Sequence, residues 1–200
     1  MKKVSILISV FFFCFSNLYS QKHKLKYISM AATTLHTDFP FGSFSELFTK
    51  EFHPGIEIGT AFNWKTKQKH DWFQTIKVGY SYQRFVQHTI PLYTEFGYRY
   101  KFFKTFSAEA AVGAGYLHAI SAEPIFVLQD DGSYKKKNNL GKPQAMGTVS
   151  FAIDKRISSS GANLFLNYQQ RIQFPFIKSY VPLLPANVIM LGIRFPFRSK

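Results

Sequence analysis

The sequence predicts an all-β fold: an eight-stranded, antiparallel, up-and-down transmembrane β-barrel that follows an export signal. Three observations carry this reading. Residues 1–20 have the layout of a secretory signal, polar and apolar residues alternate in repeated stretches between about residues 25 and 197, and the connections between those stretches tend to alternate between short and long.

The signal comes first. Lys2 and Lys3 precede an apolar stretch at 4–15 and a short polar segment at 16–20. The apolar run is shorter than the roughly 20 residues of a spanning helix, so cleavage after Ser20 is expected, leaving residues 21–200 as a single domain. Cys14 sits among phenylalanines, without the small residues that precede a lipoprotein cysteine, and is expected to leave with the signal. The mature chain then has no cysteine, which excludes a disulfide framework, a thiolate metal site and a cysteine nucleophile. Removing Lys2 and Lys3 from the formal net charge of +14 leaves +12. Such a charge suits nucleic acid, anionic lipid or lipopolysaccharide, and export leaves no nucleic acid within reach. No segment after residue 21 has the 18 or so consecutive apolar residues of a membrane helix, yet 18% of the residues are aromatic. An aromatic exported chain with no spanning helix points to a sheet.

The strands follow in order. The first, at about 25–35, has blurred alternation and is accepted because bacterial barrels have an even strand number. The second is the clearest: in Ile56-Glu57-Ile58-Gly59-Thr60-Ala61-Phe62-Asn63-Trp64 every second residue is apolar or β-branched. Further strands are expected at about 71–84, 91–103, 106–119, 144–154, 162–173 and 187–197. The connections at 65–70, around Lys104 and Thr105, and at 155–161 are short, as periplasmic turns should be. Those at 36–53, 120–143 and 174–186 are long, as outer loops should be; the third connection is short for an outer loop.

Side-chain size sets the orientation of the wall. The rows with Gly59, Ala61, Gly79, Ser81, Gly97, Ala111, Gly113, Gly115, Ser150, Ala152 and Gly192 are small. The opposite rows carry Phe62, Trp64, Tyr80, Tyr82, Phe96, Tyr98, Tyr100, Leu164, Leu166, Phe195 and Phe197. An eight-stranded barrel has an interior just wide enough for side chains to fill it, so the small and polar rows belong inside and the bulky rows face lipid. A soluble lipocalin-like ligand-binding barrel would have the opposite arrangement. The interior then collects Glu57, Glu95, Glu109 and Asp154 with Lys77, Arg99, Lys101, Arg171 and Arg194. That set reads as a salt-bridged plug, with a proton or ion path as the alternative, and no open pore is expected. Trp64, Trp72, Phe102, Phe106 and Phe197 at one end, and Tyr82, Phe85 and Tyr116 at the other, read as interfacial girdles.

On these features the chain resembles the small bacterial outer-membrane β-barrel proteins, of the OmpA membrane domain and OmpX-like architecture. The resemblance covers about residues 25–197 and includes the final strand Val188-Ile189-Met190-Leu191-Gly192-Ile193-Arg194-Phe195-Pro196-Phe197. It implies a location in the outer membrane of a Gram-negative-type bacterium. Members of this class usually end on an aromatic residue; here Phe197 is followed by Arg198, Ser199 and Lys200, and Pro196 interrupts the strand.

Two functional classes are open for such a barrel: a structural or interaction role through the extracellular loops, and an acyl hydrolase acting on lipid A or phospholipid. The hydrolase reading rests on His118, Ser121 and Glu123, a base, a nucleophile and an orienting carboxylate. Their spacing differs from the His-X-Ser of the small deacylase barrels, so no catalytic assignment is carried over. His36 with Asp38, and Glu51 with His53, supply too few ligands to define a metal site, and no cofactor is expected. Asp130-Asp131-Gly132-Ser133 reads as a tight turn rather than a calcium loop, because Tyr134 and basic residues follow it. Lys135, Lys136 and Lys137 would meet lipopolysaccharide phosphates or other anionic lipid in the longest outer loop, or act as solubilising charge. The loops at 36–53 and 174–186 are instead apolar and proline-rich, which predicts packing over the barrel mouth or contact with a partner or lipid.

Overall fold

The computed structural model describes residues 25–37, 52–124, 126–130, 132–136, 138–159, 161–176 and 182–197. The expected signal peptide and most of the 36–53 loop lie outside the described residues. Among the described residues ten strands form: β1 (Leu25–His36), β2 (Pro54–Thr66), β3 (His70–Gln83), β4 (Gln87–Lys101), β5 (Phe106–Ser121), β6 (Phe126–Leu128), β7 (Tyr134–Lys136), β8 (Lys142–Arg156), β9 (Asn163–Phe174) and β10 (Leu184–Pro196). Eight of them close a barrel in the order β1-β2-β3-β4-β5-β8-β9-β10, with β10 returning to β1. Every neighbouring pair is antiparallel. These eight are the predicted strands, and the blurred first one is among them. Closure pairs every strand on both sides and leaves no free edge.

The structure extends the sequence reading in two places. β4 starts at Gln87 rather than near residue 91, so its connection to β3 shrinks to 84–86. Pro91 has no N–H to give the ladder, and the β3–β4 pairing is interrupted there, between Val78↔Leu92 and Ser81↔Thr89. The strand nevertheless continues past the proline because its polar residues are accommodated. Gln87 and Thr89 are buried on the inner face, and His88 accepts or donates a 2.7 Å hydrogen bond with the Tyr80 hydroxyl and packs on the Tyr82 ring. The second extension is the hairpin β6–β7 inside the longest connection, which pairs only with itself. Its turn spans Gln129 to Ser133, with Gly132 at φ +81°, a conformation glycine reaches without strain.

Burial alternates along the barrel strands with the period of two that a two-faced sheet requires. Outward rows expose Ile56, Ile76, Val112, Phe151, Ile153, Leu166 and Leu191 among many others. The wall is therefore apolar outside, as in barrels that face hydrocarbon and opposite to the lipocalin arrangement. Aromatic rings gather at the end bearing the short turns: Trp72 stacks on Phe96 and meets Tyr98 edge-on, and Tyr100 meets Phe102.

The interior is not as uniformly small and polar as the sequence reading has it. Tyr27, Phe73, Tyr93 and Phe165 point inward and are buried, as are Leu117, Met146, Val188 and Met190. Glycine makes the room. A Cβ on Gly97 would lie 2.6 Å from Cζ of Phe73, and one on Gly192 would lie 2.7 Å from Cζ of Phe165. The Phe73 and Phe165 rings thus fill the space that an inward glycine on another strand leaves free.

Candidate functional site

Eight of the nine charged residues that the pattern places inside form two clusters; the ninth, Lys101, sits at the rim with its side chain 32% exposed. The cluster nearer the long-loop end is built on β2, β3, β4, β8 and β9. Lys77 Nζ lies 2.8 Å from Glu95 and 3.6 Å from Glu57. Tyr93 donates its hydroxyl to Glu57 at 2.6 Å. Gln169 donates to Glu95 at 2.9 Å and to the Tyr93 hydroxyl at 3.1 Å, while Thr148 donates to Glu95 at 3.0 Å. Arg171 is held by Gln169, to which it donates from Nε and Nη2, and lies 3.9 Å from Glu57. Two cations lie near the Tyr93 ring, Lys77 at 5.5 Å and Arg171 at 5.6 Å from its centre.

The second cluster lies nearer the short-turn end. Glu109 receives Nε of Arg99 and both terminal nitrogens of Arg194, the latter at 2.7 and 3.0 Å; Arg194 also donates to Asp154. The guanidiniums lie over the inward rings, Arg99 over Phe73 at 4.9 Å and Arg194 over Phe165 at 4.5 Å, with Tyr27 near both. Among the described residues no ion pair or hydrogen bond links this cluster to the first. In both clusters carboxylates meet cations and cations meet aromatic faces, while Asp154 Oδ2 and Arg171 Nη1 are buried without a hydrogen-bond partner.

Sequence reasoning missed Asp71, which is wholly buried at the short-turn end of β3. It accepts from Lys101 at 2.8 Å and from Lys26 at 3.4 Å, with Arg99 at 3.8 Å. The nine interior charges read from the pattern comprise four acids and five bases, and Asp71 supplies the fifth acid. It is the first residue of the strand expected at 71–84, beside a lysine-rich connection, and at that strand end alternation alone does not show that the side chain is buried. Gln169 was missed too, because an uncharged amide gives no charge signal.

The hydrolase trio does not assemble. His118 Nε2 donates to the Leu140 carbonyl at 3.0 Å and its Nδ1 accepts from the Tyr116 hydroxyl at 2.8 Å, so both ring nitrogens are occupied. Ser121 donates to the backbone carbonyl of Glu123 at 3.0 Å rather than to an imidazole. His36 and His53 approach edge to face at 6.1 Å between ring centres, while Asp38 and Glu51 lie outside the described residues. Among the described residues no group of three His, Cys, Asp or Glu side chains is placed to hold a metal ion. Lys135 and Lys136 are exposed on β7, and Lys137 lies outside the described residues.

This architecture is that of the small outer-membrane β-barrels. The fold is similar to that of Neisserial surface protein A, at 10% identity over 86% of this chain and 97% of that one, with a TM-score of 0.57. Looser likenesses are to Ail, the attachment invasion locus protein of Yersinia pestis (10% identity, 88% and 99% covered, TM-score 0.49), and to the outer membrane enzyme PagL (11% identity, 85% and 99% covered, TM-score 0.48). No protein-family model and no curated protein sequence matches the chain.

Proposed function

We propose that the protein is an exported outer-membrane barrel with a structural or interaction role, exercised through its long-loop end, and that it conducts no ions. The observation that carries the proposal is the pairing of an apolar outer wall with a lumen crossed by two buried salt-bridged clusters. Opening a path would require separating buried partners such as Glu109 and Arg194, and leaving a buried charge unpaired costs about 3–5 kcal/mol. The interaction role is supported by the protruding hairpin. It exposes Phe126, Val127, Leu128 and Tyr134 beside Lys135 and Lys136, and a lone two-stranded hairpin with that much apolar surface gains by covering it. Lipopolysaccharide, with acyl chains and phosphates, and a protein partner both match that chemistry. The apolar loops at 36–53 and 174–186 would contribute at the same end.

The test is threefold. Detergent-extracted protein should show heat-modifiable gel mobility, planar bilayers containing it should show no stepwise conductance, and the lipid A acylation profile should be the same with and without it. Stepwise conductance would overturn the plugged lumen. Loss or transfer of an acyl chain would revive the hydrolase reading, and absence from the membrane fraction would overturn the location.

A further inference from the structure

The short-turn mouth of the barrel is a basic hollow. A cavity of about 520 Å³ lies there, and three separate turns deliver cations to it. Lys69 comes from the β2–β3 connection, Lys101 and Lys104 from the end of β4 and the connection that follows, and Arg156 from the end of β8, with Lys26 from β1 and Arg99 at the floor. Asp71 is the one acid that lines it among the described residues. Asp71 is shared between two ammoniums, and Arg99 is committed to Glu109. That leaves Lys69, Lys104 and Arg156 with no side-chain acid partner among the described residues. Three converging cations in a concave site create a positive potential that salt-bridging within the chain does not cancel.

The rim has a second character. Phe102 and Phe103 are 58% and 75% exposed, and Phe106 is 39% exposed. All three line the same hollow. A soluble anion would use the cations and leave the rings in water, whereas an amphiphile would use both.

We propose that this hollow binds the phosphate group of an anionic phospholipid in the leaflet around the short-turn end, with Lys69, Lys104 and Arg156 holding the phosphate and Phe102, Phe103 and Phe106 meeting the glycerol and upper acyl chain. The inference rests on the membrane location proposed above but not on the role of the loops. It differs from the lipopolysaccharide contact expected at Lys135–Lys136, which belongs to the opposite end of the barrel.

The experiment is native mass spectrometry of the refolded mature chain in detergent, titrated separately with phosphatidylglycerol, phosphatidylcholine and inorganic pyrophosphate. Phosphatidylglycerol should be retained at least ~10-fold better than phosphatidylcholine, a difference of about 1.4 kcal/mol. Retention should fall as salt is raised. The triple variant Lys69→Gln, Lys104→Gln, Arg156→Gln should lose that preference, while Lys135→Gln with Lys136→Gln should keep it. Heat-modifiable mobility of each variant reports folding separately, and Phe103→Ala, an exposed position, provides a second variant expected to weaken lipid retention alone. Equal retention of both lipids, or a preference that survives the triple substitution, overturns the proposal. Displacement of the lipid by pyrophosphate at similar concentration, with Phe103→Ala silent, assigns the hollow to a free phosphate and overturns the lipid assignment. A barrel that folds but shows no lipid preference overturns only this inference, whereas failure to enter membranes overturns the location on which it rests.

Discussion

Glu109 concentrates the residue-scale energetics, because two guanidiniums converge on its one carboxylate and all three groups are buried. Glu109→Ala leaves Arg99 with only Asp71 at 3.8 Å and Arg194 with only Asp154, and should cost about 3–5 kcal/mol, read as a lowered urea midpoint for folding into lipid vesicles. Lys101→Gln is the contrast. Its side chain is 32% exposed at the rim, Lys26 and Arg99 remain beside Asp71, and the expected cost is below about 1 kcal/mol. The glycines provide an independent residue-scale test. A Cβ at Gly97 would meet the Phe73 ring, the Cβ of Ala111 at 2.7 Å and the Ala110 carbonyl at 2.9 Å. The last two cannot rotate away, so Gly97→Ala should cost about 1–3 kcal/mol by overpacking. At Gly147 a Cβ would meet nothing within 4 Å, and Gly147→Ala should stay within about 0.5 kcal/mol of the parent. Equal effects at the two positions would contradict the assignment of the inner and outer faces.

At the scale of elements, the eight barrel strands and the β6–β7 hairpin are energetically separate. The barrel strands each pair on both sides, whereas the hairpin pairs only within itself. Deleting 126–136 and joining the flanks with a short Gly/Ser linker should therefore leave heat-modifiable mobility unchanged, since loop length alters stability only weakly. The hairpin itself was not legible in the sequence. Two three-residue strands are too short for alternation to register, and only the Asp130-Asp131-Gly132-Ser133 turn announced it. The late assignment of the β4 start has a different cause: a proline normally marks a strand end, and here burial of Gln87 and Thr89 on the inner face outweighs the missing N–H of Pro91. β10 shows a third kind of difficulty. Val188 and Met190 point inward while Leu191 and Phe195 point outward, so both faces are apolar and hydrophobicity alone gives no direction.

For the molecule as a whole, the environment of the outer wall is the decisive quantity. Val112 lies near the middle of β5 and is 61% exposed. With the wall in hydrocarbon, Val112→Arg should cost about 2–4 kcal/mol when the protein folds into vesicles. A neutral result in vesicles would count against a bilayer around this belt, because a water-facing position tolerates arginine. The distribution of charge has the same scale. The lumen balances its acids and bases, so the surplus of Lys and Arg over Asp and Glu, 25 against 11 in the full sequence, must reside at the rims and beyond. The short-turn mouth is one place where it accumulates.

By itself the sequence determined the class of fold, the number of barrel strands and which rows face inward. Those properties follow from local alternation with period two and from the volume available inside eight strands, and neither requires knowing which strand neighbours which. Only the tertiary structure decided the partners. Glu57 is laddered opposite Gly79, yet its ionic partner is Lys77 and its hydrogen-bond partner is Tyr93, because tilted strands stagger the rows around a closed barrel. The same closure brings Arg194 to Glu109 across 85 positions of sequence and gathers three lysine- and arginine-bearing turns around one mouth. Alternation is a property of neighbours along the chain; these pairings depend on tilt and stagger, which are properties of the closed ring.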